Sequence, residues 1–210
     1  MNLSEMAGTF GLVFVGAGSI TIGLPHVWIS IAFGLIVTLM ILCFGKISGA
    51  HINPAVSLGF YILTKQKSIL HYIPFQLLGG LFAGVALWFL FPENATYGET
   101  KASGTILEAG LIEVFITAIL MYSIHWLVGK ELKLPVIAIL VGLVVGLAAY
   151  FAGPYTGASM NPARSLGPAI VADFWDGFWM YMLAPLVGSA IATFIYKYFS
   201  RKRNRLIYSS

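Results

Sequence analysis

Gly49-Ala50-His51-Ile52-Asn53-Pro54-Ala55-Val56-Ser57-Leu58-Gly59 returns later in the chain as Gly157-Ala158-Ser159-Met160-Asn161-Pro162-Ala163-Arg164-Ser165-Leu166-Gly167. Eight of the eleven positions are identical, at an offset of 108 residues. Without a gap, the same offset pairs Glu5 with Glu113, Gly34-Leu35 with Gly142-Leu143, and Gly80 with Gly188. One duplication accounts for all of them.

Asn is a favoured N-cap and Pro a favoured first helical residue, so Asn53-Pro54 and Asn161-Pro162 each read as the start of a helix. The apolar runs that follow, Val56 to Leu63 and Leu166 to Val171, are bounded by Thr64-Lys65 and by Asp173. A helix of about ten residues rises about 15 Å, half of a bilayer core of roughly 30 Å. Neither run can cross a membrane, but two entering from opposite faces would meet in the middle.

The rest of the chain requires that membrane. Of 210 residues, 59% are hydrophobic and 10% charged, against roughly 25% charged in a soluble domain. No Asp, Glu, Lys or Arg occurs from Met6 to Gly45, Ser68 to Pro92, Leu134 to Ala163 or Gly177 to Tyr196. With Ile22-Gly23-Leu24-Pro25 breaking the first stretch in two, the expected spans are Ser4–Thr21, Trp28–Gly45, Ser68–Phe91, Gly104–Val128, Leu134–Ala152 and Gly177–Phe199. The fold expected is an all-α membrane protein of six transmembrane helices and two re-entrant half-helices. A single transmembrane domain is expected over residues 1–210, with repeats at about 1–92 and 104–200 and a basic tail at 201–210. Each repeat holds three spans, an odd number, so the copies are inverted, an arrangement that places the functional site at the midplane between discontinuous helices.

Lys65, Lys67, Lys130, Lys133 and the tail Arg201-Lys202-Arg203-Asn204-Arg205 fall on one side of this topology, and Glu93, Glu99, Asp173 and Asp176 with Lys101 on the other. The positive side is cytoplasmic, giving a multi-pass protein of the cell membrane with both termini inside. The net charge of +4 is explained by topology and calls for no nucleic acid, only a weak lipid contact. Glu5 interrupts the first apolar stretch and no basic segment precedes it, so that span is expected to stay in the mature protein. Cys43 is the single cysteine, which rules out an intrachain disulfide.

An Asn whose oxygen caps its own helix still offers an amide NH₂, donors without an acceptor. Two of these at the membrane centre hold the oxygen of a water molecule, while the positive ends of both half-helix dipoles disfavour a cation or excess proton there. The two eleven-residue segments resemble the paired signature motifs of the aquaporin (major intrinsic protein) family. That resemblance extends to Ser4–Phe10, Ala32–Leu35 and Ala184–Gly188, and so to nearly the whole chain. It implies a passive water channel with pore motifs at Asn53, Pro54, Ala55, Asn161, Pro162 and Ala163, assembled as a homotetramer without a cofactor. It also implies a selectivity filter of Phe33, Ala149, Ala158 and Arg164, on the extracellular side of the asparagines.

An Arg inside a membrane segment is a functional residue by default, and Arg164 would repel cations and hold a passing oxygen. At Ala149, narrow water-selective relatives usually carry His, and the smaller side chain widens the filter enough for glycerol or another small neutral solute. Ser165 and Ala169 oppose that reading, standing where glycerol facilitators of the family typically have Asp and Lys. Tyr181 resembles the aromatic of water channels, and Met182 fits neither pattern. Water is the main solute expected, with glycerol left open.

Glu5 and Glu113 read as a symmetric scaffold holding the irregular backbone before each half-helix, in preference to a proton relay. His51 either lines the cytoplasmic vestibule or braces its loop. His26, His71 and His125 are scattered near span ends and have no metal-ligand spacing. The glycines within spans allow close helix crossing, and Trp28, Trp88, Trp126, Trp175 and Trp179 read as interfacial anchors. Asn94-Ala95-Thr96 is formally a glycosylation sequon. A secondary transporter would share the inverted repeats, but Arg164 alone is charged in the central constellation. An enzyme built on Ser57 or Ser165 lacks a base at matching positions of the two copies.

Overall fold

The computed structural model describes residues 1–93, 96–130 and 132–208, with side chains as far as Ser200. Asn94 of the sequon and the side chains of the basic tail lie outside the described residues. Among the described residues, eight α-helices run in order: α1 (Asn2–Thr21), α2 (His26–Ser48), α3 (Pro54–Thr64), α4 (Tyr72–Leu90), α5 (Ile106–Val128), α6 (Leu134–Thr156), α7 (Pro162–Ala172) and α8 (Phe178–Tyr208). Six are long and apolar enough to cross a membrane; α3 and α7 are half-helices of 11 residues each. There is no strand among the described residues. Both ends of α6 lie 108 residues after those of α2, and both ends of α7 lie 108 after those of α3.

The helices keep close to the spans expected from the sequence. A 3₁₀ turn at Lys67–His71 leads into α4, and the two together make the third span. The fifth continues past Ala152 to Thr156 with Pro154 inside it. Proline removes the N–H that would bond the carbonyl four residues back, here that of Tyr150, and His26 Nε2 at the start of α2 donates to it instead, 2.8 Å away. The last helix runs into the basic segment as far as Tyr208.

Polarity is distributed as the bilayer demands. Phe89 and Leu107 on the outer surface are 76% and 74% exposed, while Glu5, Gln76 and Glu113 are wholly buried. Backbone polar groups must be satisfied within the protein, and helices that pack in lipid gain mainly from close contact. At the α2–α6 crossing, a Cβ on Gly34 would lie 2.9 Å from the Gly142 carbonyl oxygen. A Cβ on Gly80 of α4 would strike the Ala163 carbonyl of α7, and one on Gly167 the Gly80 carbonyl. The matching glycine 108 residues after Gly80, Gly188 of α8, sits against the Val114 carbonyl of α5.

Gly80→Val is therefore expected to push α4 off α7 and lower the thermal unfolding midpoint in detergent. The cost is about 3 kcal/mol, the upper end for overpacking, because the obstacle is backbone. An unchanged midpoint would show that the crossing has slack.

Candidate functional site

Two half-helices end to end need their first turns capped at the centre of the molecule. Asn53 Oδ1 accepts from Ala55 N at 2.8 Å, and Asn161 Oδ1 from Ala163 N at 3.0 Å. Each Asn also reaches across: Asn53 Nδ2 donates to Met160 O at 2.8 Å and Asn161 Nδ2 to Ile52 O at 2.9 Å. An amide nitrogen carries two hydrogens, so each side chain has one hydrogen left after joining the halves.

The backbone before each Asn is unusual. Ala50 and Ile52 have φ of 48° and 45°, and Ala158 and Met160 of 43° and 52°. A β-branched residue in this region costs of order 1–3 kcal/mol and persists only where its surroundings impose it. Glu5 supplies that constraint in the first copy: Oε1 accepts from Ser48 Oγ (2.6 Å) and His51 N (3.0 Å), and Oε2 from Ile52 N (2.6 Å) and Gln76 Nε2 (2.7 Å). In the second copy, Glu113 accepts from Thr156 Oγ1, Ser159 N and Met160 N, each at 2.8 Å. Three of these contacts recur at an offset of 108, including Ser48 and Thr156, a pair that extending the repeat search upstream would have found.

Two neighbouring cavities, with lining residues in common, lie at the site. The larger, about 300 Å³, is bounded by Val37, Ile41, Ile124, Val141, Val145, Phe60, His51 and Asn53. The smaller, about 30 Å³, shares Asn53 with it and is lined by Phe33, Ala149, Ala158, Ser159, Asn161 and Arg164 among others. All four residues of the expected filter thus line the same small cavity. Pro54, Ala55, Pro162 and Ala163 are buried behind the asparagines, in the first turns of α3 and α7.

Arg164 is 1% exposed. Its Cζ lies 5.1 Å from the centre of the Phe33 ring, and Nη1 donates to Gly98 O at 2.5 Å. Nε and Nη2 have no protein partner. Buried donors without partners are costly, and these belong to a residue lining the smaller cavity.

The His51 ring lines the larger cavity, stacked on Phe60 at 4.6 Å, while Nδ1 lies 3.1 Å from Ser57 Oγ. A base therefore stands beside Ser57, while the matching neighbour of Ser165 is the hydroxyl of Ser159 at 2.6 Å, so the two copies have no base at matching positions. Ser57 is nonetheless fully buried and also bonded to Gln76, so its hydroxyl is committed to packing. Tyr181 is a brace as well, its hydroxyl donating to Thr156 O at 2.7 Å. His125 packs between Phe60 and Tyr196, with Nε2 3.0 Å from Thr193 Oγ1. Gln76 went unnoticed in the sequence because its counterpart is Ala184, and Gly98 because it lies between the repeats.

Six membrane-length helices around two half-helices, with donors facing a narrow path, define a multi-pass membrane channel. The description "Major intrinsic protein" matches residues 1–196, and the chain belongs to that family, whose members are channels for water and small solutes and not enzymes. It is 36% identical over 203 residues to "Probable aquaporin NIP-type" of Nicotiana alata, covering 92% of this chain and 75% of the relative. It is 36% identical over 205 residues to "Nodulin-26" of Glycine max, with coverage of 92% and 75%. The solved structure of the aquaglyceroporin from Plasmodium falciparum superposes with a TM-score of 0.84 at 27% identity, covering 93% of each chain.

Proposed function

We propose that this chain is a passive water channel that excludes ions and protons, with Phe33, Ala149, Ala158 and Arg164 as its selectivity filter and Asn53 and Asn161 as its central donors. One observation carries the reading: each asparagine spends its oxygen on its own helix and one hydrogen on the other half, and both line the same narrow cavity. The remaining hydrogens favour the oxygen of a neutral molecule, and the converging helix N-termini oppose a cation. Among the cavity-lining residues Arg164 alone bears a fixed charge, which supports passive flow over coupled transport. We also propose a homotetramer in the cell membrane with both termini cytoplasmic, the first by family resemblance and the second because Lys65, Lys67, Lys130 and Lys133 lie in the two connections on that side.

A second reading, glycerol facilitation, is favoured by the two alanines of the filter, and the name of the Plasmodium falciparum channel points the same way. Stopped-flow light scattering of proteoliposomes decides between them, with an impermeant-sugar shock for water and a glycerol gradient for glycerol, each against empty vesicles. Fast water flow with glycerol at lipid background supports the water channel, and rapid equilibration of both supports the facilitator. Water at background sinks both.

Ala149→His tests the filter directly. An imidazole there should lower glycerol permeability about tenfold or more relative to water, the scale on which a pocket discriminates by one small group. An unchanged ratio would place the limiting constriction elsewhere.

A further inference from the structure

Where α5 ends beside α8 there is a pocket of about 160 Å³ that shares no residue with the two pore cavities. Helical spacing builds its walls. Tyr122, Trp126 and Lys130 follow one another at four-residue steps through the end of α5, and Phe199 and Ser200 lie three and four residues after Tyr196 on α8. Gly129 lets the two helices meet there, since a Cβ on it would strike the Tyr196 hydroxyl. The Tyr122 and Tyr196 rings close the inner wall edge to face, with 6.0 Å between their centres, while Trp126 and Phe199 are exposed.

The pocket stands at the level where both helices leave the bilayer. The apolar part of α8 ends at Ser200, and Arg201-Lys202-Arg203 follows directly. A Trp one turn before a Lys at the end of a span is the composition of a headgroup layer.

Its polar groups select for an anion. No lining residue is acidic. Lys130 Nζ lies 5.3 Å from the centre of the Trp126 ring, a contact that offers the ammonium no oxygen. The Tyr196 hydroxyl has no hydrogen-bond partner among the described residues, whereas Ser200 Oγ spends its hydrogen on Tyr196 O at 2.6 Å. A quaternary ammonium is the other ligand that aromatic walls attract, and the lysine already lying over the tryptophan would repel it.

We propose that this pocket binds the phosphodiester of an anionic phospholipid, with Lys130 and the Tyr196 hydroxyl donating to the phosphate oxygens and the rings of Trp126 and Phe199 flanking the glycerol esters. A basic pocket between membrane helices suits such a headgroup. The site is independent of which solute crosses the pore, and of which side of the membrane this end faces.

The test is a titration of the full-length channel in neutral detergent, read by native mass spectrometry, with dihexanoyl phosphatidylglycerol, dihexanoyl phosphatidylcholine and inorganic phosphate as probes. Phosphatidylglycerol should bind about tenfold more tightly than phosphatidylcholine, the scale of one hydrogen bond to a charged group. Lys130→Gln should weaken phosphatidylglycerol binding about tenfold and Tyr196→Phe about threefold. Lys133→Gln removes a nearby charge that does not line the pocket, and with no charged lipid surface in the micelle it should keep affinity within about twofold. Equal affinity for the two lipids, wild-type affinity in Lys130→Gln or Tyr196→Phe, or an equal loss in Lys133→Gln overturns the proposal. Displacement of the lipid by inorganic phosphate at equal concentration would make the ligand a free anion and overturns the lipid assignment.

Discussion

Glu113→Ala is expected to yield little folded channel, with a loss of about 3–6 kcal/mol that shows as a greatly lowered unfolding midpoint in detergent. The carboxylate accepts from Thr156 Oγ1, Ser159 N and Met160 N, and it is wholly buried. Alanine leaves two backbone N–H groups without partners, each costing about 1–3 kcal/mol. It also withdraws the constraint holding Met160 at a φ of 52°, a strain of order 1–3 kcal/mol. Glu5→Ala should be at least as severe, since Glu5 accepts four bonds, one of them from Gln76. A proton relay predicts the reverse pattern: near-normal stability with altered proton handling. A Glu113→Ala protein that kept its unfolding midpoint would therefore remove the scaffold reading and revive the relay.

These contacts also show why much of the site is legible in the sequence. Symmetry carries information: Asn53 and Asn161, Glu5 and Glu113, and Gly80 and Gly188 declare themselves because each appears twice at one offset, and a single copy of any would have been weak. Helix existence follows from long uncharged runs, because a bilayer permits little else for a spanning backbone. What the duplication does not repeat stays silent. Gln76, which bridges Glu5 and Ser57, has Ala184 as its counterpart, and Gly98 acts through a backbone carbonyl, which every residue type possesses. The end of α6 was misplaced for a related reason. Pro154 reads as a breaker from sequence, and the partner that lets the helix continue, His26, comes from a distant segment.

The second large effect is functional. Arg164→Ala is expected to keep water flow, raise glycerol permeability and open the pore to cations. A fixed positive charge about 4 Å from a permeating cation opposes it by about 4 kcal/mol at an effective dielectric of 20, or roughly three orders of magnitude in entry rate. The charge is held in the smaller cavity by the Gly98 carbonyl and the Phe33 face. Alanine removes the repulsion and the bulk together, leaving Asn53, Asn161 and the helix dipoles as the remaining barrier. Because dipole ends count as about half a charge each and fade within a turn, they should slow cations without stopping them. Collapse of a pH or sodium gradient across proteoliposomes measures this directly. A gradient that persists in Arg164→Ala vesicles while glycerol flow rises would assign ion exclusion to the paired half-helices and leave Arg164 only its steric part. Collapse at the expected rate would place the dominant electrostatic barrier at the guanidinium.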